Sequence, residues 1–120
     1  MRVLTLFVFL CGLCAMAQDR RVVITVDDLP CANCPDGQWE QVNKAILRVL
    51  QKHHVPAVGF VNEHNFYREG VVDSTRLRIL HQWLDAGMEL GNHTYAHLGA
   101  TKHSLAEYEA DIVQGEKLMR

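Results

Sequence analysis

Gly91-Asn92-His93-Thr94-Tyr95-Ala96-His97 sets two imidazoles four residues apart directly after an apolar segment, and an Asp27-Asp28 pair lies upstream. Imidazole nitrogens at i and i+4 lie above one another on a helical turn, so His93 and His97 are expected to reach one cation. One carboxylate of the aspartate pair completes a three-ligand set and leaves a position open for water. Open positions mark catalytic rather than structural zinc, and a cation in such a site lowers the pKa of its water from about 15.7 to roughly 7 to 9. The second carboxylate is then a candidate general base, a role that contributes about a hundredfold to ten-thousandfold in rate. Neighbouring residues on an extended strand point to opposite faces, so both acids serve one site only at a strand end or turn, which Leu29-Pro30 supplies. Two imidazoles and a carboxylate suit zinc, and also cobalt or nickel.

The elements that must position these groups follow from the spacing of apolar residues. Arg21 to Val26 is short and rich in β-branched residues, which predicts a buried strand ending at the aspartates. Trp39, Val42, Ala45, Ile46, Val49 and Leu50 recur at helical spacing and predict a helix from about Gln38 to His53, stopped by Pro56. Ala57 to Val61 reads as a second strand, followed by a polar loop from Asn62 to about Val72. Asp73 or Ser74 is placed to cap a second helix carrying Leu77, Leu80, Trp83 and Leu84, with Gly87 as its stop. Met88 to Asn92 reads as a third strand that delivers the histidines. Ser104 and Glu107 form a capping box before a last helix running close to Arg120. Just past the second strand, Asn62, Glu63 and His64 are candidates for the rim of the same site.

Three strand–helix alternations predict an α/β fold with a parallel sheet. Right-handed crossovers bring the carboxyl ends of all strands to one edge, where Asp27, Asp28, His93 and His97 are expected to converge although more than 60 residues apart in sequence. Three strands do not close a barrel, so residues 18–120 are expected to be the N-terminal portion of a larger domain.

Met1 to Ala17 has the form of a secretory signal, with Arg2 as the positive region, Val3 to Cys14 as the apolar region and Ala15-Met16-Ala17 as the cleavage site. A secreted or periplasmic protein is expected, with no stable membrane span. Without that segment 11 basic residues face 14 acidic ones, which leaves no electrostatic footprint for nucleic acid. No heptad, basic patch or long apolar stripe signals a partner chain or an oligomeric state. Cys31-Ala32-Asn33-Cys34 remains, and in an exported protein it reads first as a small local disulfide, with a redox pair or free thiols as the other readings.

Thr25-Val26-Asp27-Asp28-Leu29-Pro30 resembles T-F-D-D-G-P, the first motif of polysaccharide deacetylases of the NodB-homology type, and His93 to His97 is similar to their second, H-[ST]-x-x-H. The resemblance extends from Arg21 to the C-terminus. It implies that Asp27 is the general base and that Asp28, His93 and His97 bind the metal. It also implies a distorted (β/α) barrel that removes acetyl groups from N- or O-acetylated sugars of chitin, peptidoglycan or xylan. Val26 and Leu29 stand where the motif has Phe and Gly. An arginine-containing segment that assists the base, a backbone donor for the oxyanion and a late acid histidine, all part of the family pattern, have no counterpart in residues 1–120. A catalytically inactive carbohydrate- or metal-binding module of the same fold is the alternative reading.

Overall fold

The computed structural model describes residues 21–35 and 37–120. The signal-like segment Met1 to Ala17, with Cys11 and Cys14, lies outside the described residues. In chain order the elements are β1 (Ile24–Leu29), α1 (Trp39–Lys52), β2 (Ala57–Val61), a 3-10 turn (Glu63–Phe66), β3 (Tyr67–Arg68), β4 (Val71–Val72), α2 (Ser74–Asp85), β5 (Glu89–Asn92) and α3 (Leu105–Gln114). Strands β1, β2 and β5 form a parallel sheet with β2 in the centre, and β3 and β4 form a separate antiparallel ribbon. No helix among the described residues is long and apolar enough to cross a membrane.

The pairing explains where each strand begins. Ile24 lies opposite Ala57 and Gly59 opposite Leu90, so the sheet starts where its three partners first overlap. The expected strand from Arg21 to Val26 is therefore displaced: Val22 and Val23 are exposed, and β1 runs on through the aspartates to Leu29. β-Branched residues favour extended backbone, but pairing partners decide which of them are in the sheet.

One face of the sheet carries the core, built from Leu29, Ala57 and Val61 against Leu47 and Leu50 of α1 and Ile79, Leu80 and Trp83 of α2. Gly59 lets the layers meet. A Cβ there would stand 2.4 Å from Leu29 Cδ1 and 3.0 Å from Trp83 Cε3, both in fully buried side chains. Gly59→Ala is therefore expected to lower the unfolding free energy by about 1–3 kcal/mol through overpacking. An unchanged urea midpoint would show that Leu29 repacks freely.

Helix α1 agrees with its expected span to within one residue at each end, but its inner stripe is Asn43, Leu47 and Leu50, while Ala45 and Val49 face solvent. Asn43 is completely buried and its amide joins three segments. It donates to the carbonyls of Pro30 (2.6 Å) and Trp39 (2.8 Å) and accepts from the Trp83 indole (2.8 Å). Asp73 caps α2, accepting from the amides of Thr75 and Arg76, and Gly87 closes it with φ 78°. Leu84, expected inside, is exposed.

The expected loop from Asn62 to Val72 holds more structure than its polarity suggests. Phe66 is fully buried, and the 3-10 turn and β3–β4 ribbon fold around it. The capping box of α3 is present, with Ser104 and Glu107 bonded reciprocally. That helix ends at Gln114 rather than near Arg120, because Gly115 is packed directly against the histidine segment: a Cβ on it would stand 2.6 Å from the Thr94 carbonyl carbon.

Candidate metal centre

Asp28 reaches the site through an irregularity in β1. The strand's register with β2 shifts between Val26 and Leu29, and Asp28 has φ 60°, in the left-handed region that a non-glycine residue seldom occupies. The kink turns one of two consecutive carboxylates toward the sheet's carboxyl edge and leaves Asp27 exposed. Leu29, where the family motif has glycine, is a core residue packed over Gly59, and the Leu29–Pro30 bond is cis.

His93 follows β5 directly, and its amide donates to the Val61 carbonyl (2.9 Å), extending the parallel pairing by one bond. Asn62 donates its side-chain amide to the His93 carbonyl. The histidines do not share a helical turn as their spacing suggested. Thr94 and His97 have φ 66° and 57°, and side chains take up the amides that a helix would satisfy with its own carbonyls. Asn92 Oδ1 accepts from Thr94 N (2.6 Å), and Thr94 Oγ1 accepts from His97 N (3.0 Å). Asp111 of α3 accepts from Ala96 N (2.9 Å) and Leu98 N (3.3 Å), while its carbonyl accepts from Tyr95 N (3.0 Å).

These contacts bring Asp28, His93 and His97 together. Their ligand atoms all lie within 4.8 Å of one another. The Nε2 atoms of His93 and His97 stand 3.5 Å and 3.7 Å from Asp28 Oδ1, and the two rings are 4.9 Å apart between centroids. Ligands about 2.1 Å from a tetrahedral ion are about 3.4 Å from each other, so the spacing fits a small divalent cation. Two nitrogens and one oxygen are a borderline donor set suited to zinc, cobalt or nickel. Asp27 is not part of this cluster.

A cavity of about 310 Å³ opens beside Asp28 and His97. Ala32 and Asn33 of the Cys31–Cys34 loop, Asn62, His64 and Asn65, and Tyr95 and Ala96 between the histidines also line it. Of the three candidates for the rim, Asn62 and His64 take that place. Glu63 points inward instead and is fully buried, accepting from the Tyr67 hydroxyl (3.1 Å) and from Leu118 N (2.8 Å). Cys31 and Cys34 are joined by a disulfide, with their Cα atoms 5.7 Å apart.

Sequence reasoning missed Asp111 and Asn43, whose partners are mostly backbone groups. Burial alone would raise the Asp111 pKa, but bonds from the Thr94 hydroxyl and from the Ala96 and Leu98 amides, with help from His103, hold it below the usual carboxylate range. A lowered folded pKa adds stability above the unfolded value of about 3.9, and that stability disappears as pH falls through the folded value. The urea midpoint of the wild type should therefore exceed that of Asp111→Asn near neutral pH, with the gap closing as acid protonates Asp111 in the folded state. A gap that persists in acid would assign the effect to shape rather than charge.

The chain matches the polysaccharide deacetylase family over residues 15–120. It belongs to that family. No curated protein matches it. Among solved structures it is similar to a family 4 carbohydrate esterase from Streptomyces lividans in complex with acetate, at 21% identity and TM-score 0.59, covering 82% of this chain and 43% of that one. The carbohydrate esterase family 4 domain of a multidomain xylanase from the hindgut metagenome of Trinervitermes trinervoides matches at 21% identity and TM-score 0.59, over 81% and 40%. A family 4 pseudoenzyme from Bacillus anthracis matches at 22% and TM-score 0.62, over 84% and 31%. These likenesses show the fold, the N-terminal part of the (β/α) barrel of family 4 esterases. The chain spans less than half the length of each.

Proposed function

We propose that this chain carries the metal centre of a hydrolase that removes acetyl groups from N- or O-acetylated carbohydrate of the chitin oligosaccharide, peptidoglycan or xylan type. The observation that supports it most is the convergence of Asp28, His93 and His97 beside an open polar cavity, in a chain of the polysaccharide deacetylase family. A divalent ion bound there, zinc or else cobalt or nickel, supplies Lewis acidity to an acetyl carbonyl and to a neighbouring water. Asp28, His93 and His97 would hold the ion beside the cavity. Asp27, exposed on the preceding residue, accepts the proton from the attacking water, and the side chains around the cavity orient the sugar. The form of Met1 to Ala17 supports action outside the cytoplasm, secreted or periplasmic.

The test is acetate release from N-acetylchito-oligosaccharides and acetylated xylo-oligosaccharides, before and after chelation and after zinc is restored. Release that follows the zinc supports the reading. A zinc-loaded, folded chain that releases no acetate from either favours the second reading, a carbohydrate- or metal-binding module without turnover. Similarity to a structure described as a pseudoenzyme is the specific observation behind that alternative.

A further inference from the structure

Glu63 is a completely buried carboxylate that takes no part in the chemistry proposed above, and it lies where two halves of a cradle meet. The turn bearing the imidazoles is held on one side by three consecutive residues after β2. The Asn62 side-chain amide donates to the His93 carbonyl, Glu63 N to the Thr94 carbonyl (3.4 Å) and His64 N to the Tyr95 carbonyl (3.0 Å). On the other side lies the end of α3, where the Ile112 carbonyl accepts from the Asn92 side chain (2.8 Å), Asp111 takes up the amides already described and Gly115 presses on Thr94. The Glu63 side chain joins the two: Oε2 accepts from Leu118 N (2.8 Å), just past α3, and Oε1 accepts from the Tyr67 hydroxyl (3.1 Å).

A buried acceptor or donor that loses its partner keeps the cost of desolvation without the bond, so this junction favours one arrangement. Tyr67 reinforces it. Burial, and then the bond to Glu63, push its hydroxyl above the usual phenol range, which keeps the donor proton in place at neutral pH. Its ring stands 6.1 Å from that of Tyr95, between the two ligand histidines, and Leu118 packs against the core. We infer that Glu63 is a positioning residue of the metal centre: by tying the 62–64 stretch to Leu118 it closes the cradle around the turn and fixes how far apart the His93 and His97 imidazoles stand. Groups one bond beyond a ligand orient it and tune its affinity, and Glu63 acts a step further out, through the backbone that carries both rings. The inference rests on the metal centre of the proposed hydrolase and concerns how that centre is held, whatever it acts on.

Two measurements on the full chain test it: zinc affinity by competition with a chromophoric chelator, and the visible absorption of the cobalt-loaded protein, each in wild type, Glu63→Leu, Glu63→Gln and Tyr67→Phe. Glu63→Leu fills similar space without an acceptor, and it should weaken zinc about tenfold and alter the cobalt bands. Glu63→Gln should restore both, because its carbonyl accepts from Leu118 N while its amide donates to the Tyr67 oxygen. Tyr67→Phe keeps the Leu118 bond and should weaken zinc by about threefold. A purely structural role would lower the urea midpoint of Glu63→Leu but leave the zinc affinity and cobalt bands of the folded chain at wild-type values, and that result overturns the inference. Glu63→Gln behaving like Glu63→Leu overturns it too, by assigning the effect to charge. If Glu63→Leu does not fold, Tyr67→Phe decides, and unchanged affinity and bands there overturn the inference. A folded wild type that binds neither metal overturns the metal centre and this inference with it, whereas metal held equally by wild type and Glu63→Leu overturns the positioning role alone.

Discussion

Zinc content should fall from about one ion per chain to background when Asp28, His93 or His97 is replaced by alanine. Each substitution removes one of three donors, and two donors hold a divalent ion poorly. Loss of an outer hydrogen bond to a ligand already costs about tenfold to a hundredfold in metal affinity, so loss of a ligand should exceed about a hundredfold. Folding should survive, because none of the three side chains belongs to the core: His93 and Asp28 are half-buried and His97 is 62% exposed. Elemental analysis after dialysis, with circular dichroism as the folding control, measures both. A folded His97→Ala chain that keeps its full zinc would move the metal elsewhere and remove the basis of the proposed chemistry.

Asp27→Asn should separate binding from turnover. Asp27 stands outside the donor cluster, so the variant should retain zinc at the wild-type level. As general base its loss should reduce kcat by about a hundredfold to ten-thousandfold, with a smaller effect on KM. Its isosteric amide leaves the β1 kink and the Asp28 position intact, which makes the comparison with Asp28→Ala informative. Full activity in Asp27→Asn would give the proton-accepting role to another group.

Parts of this arrangement were legible in the sequence for identifiable reasons. β2 agrees residue for residue because Pro56 and Asn62 bound its apolar run, and the caps at Asp73 and Ser104 are local interactions that depend only on nearby residues. Spacing also drew attention to Asp28, His93 and His97. The geometry that unites them was not legible. A period of four suggested a helix, but Asn92, Thr94 and Asp111 capture the amides that a helix would use. Asn43 looks like an interruption of an apolar stripe until the buried Trp83 indole and Pro30 carbonyl are seen to need it. The β3–β4 ribbon escaped because two-residue strands carry no periodicity.

The two kinds of donor answer to different helices. Asn43 of α1, bonded to the carbonyl of Pro30 and to Trp83 of α2, ties the helix layer to the chain two residues past Asp28. Asp111 of α3, with Gly115 pressed against Thr94, sets the turn that bears the imidazoles. The oxygen and the nitrogens are thus braced by separate hydrogen-bond networks, one reaching α1 and α2 and the other α3, joined through the sheet.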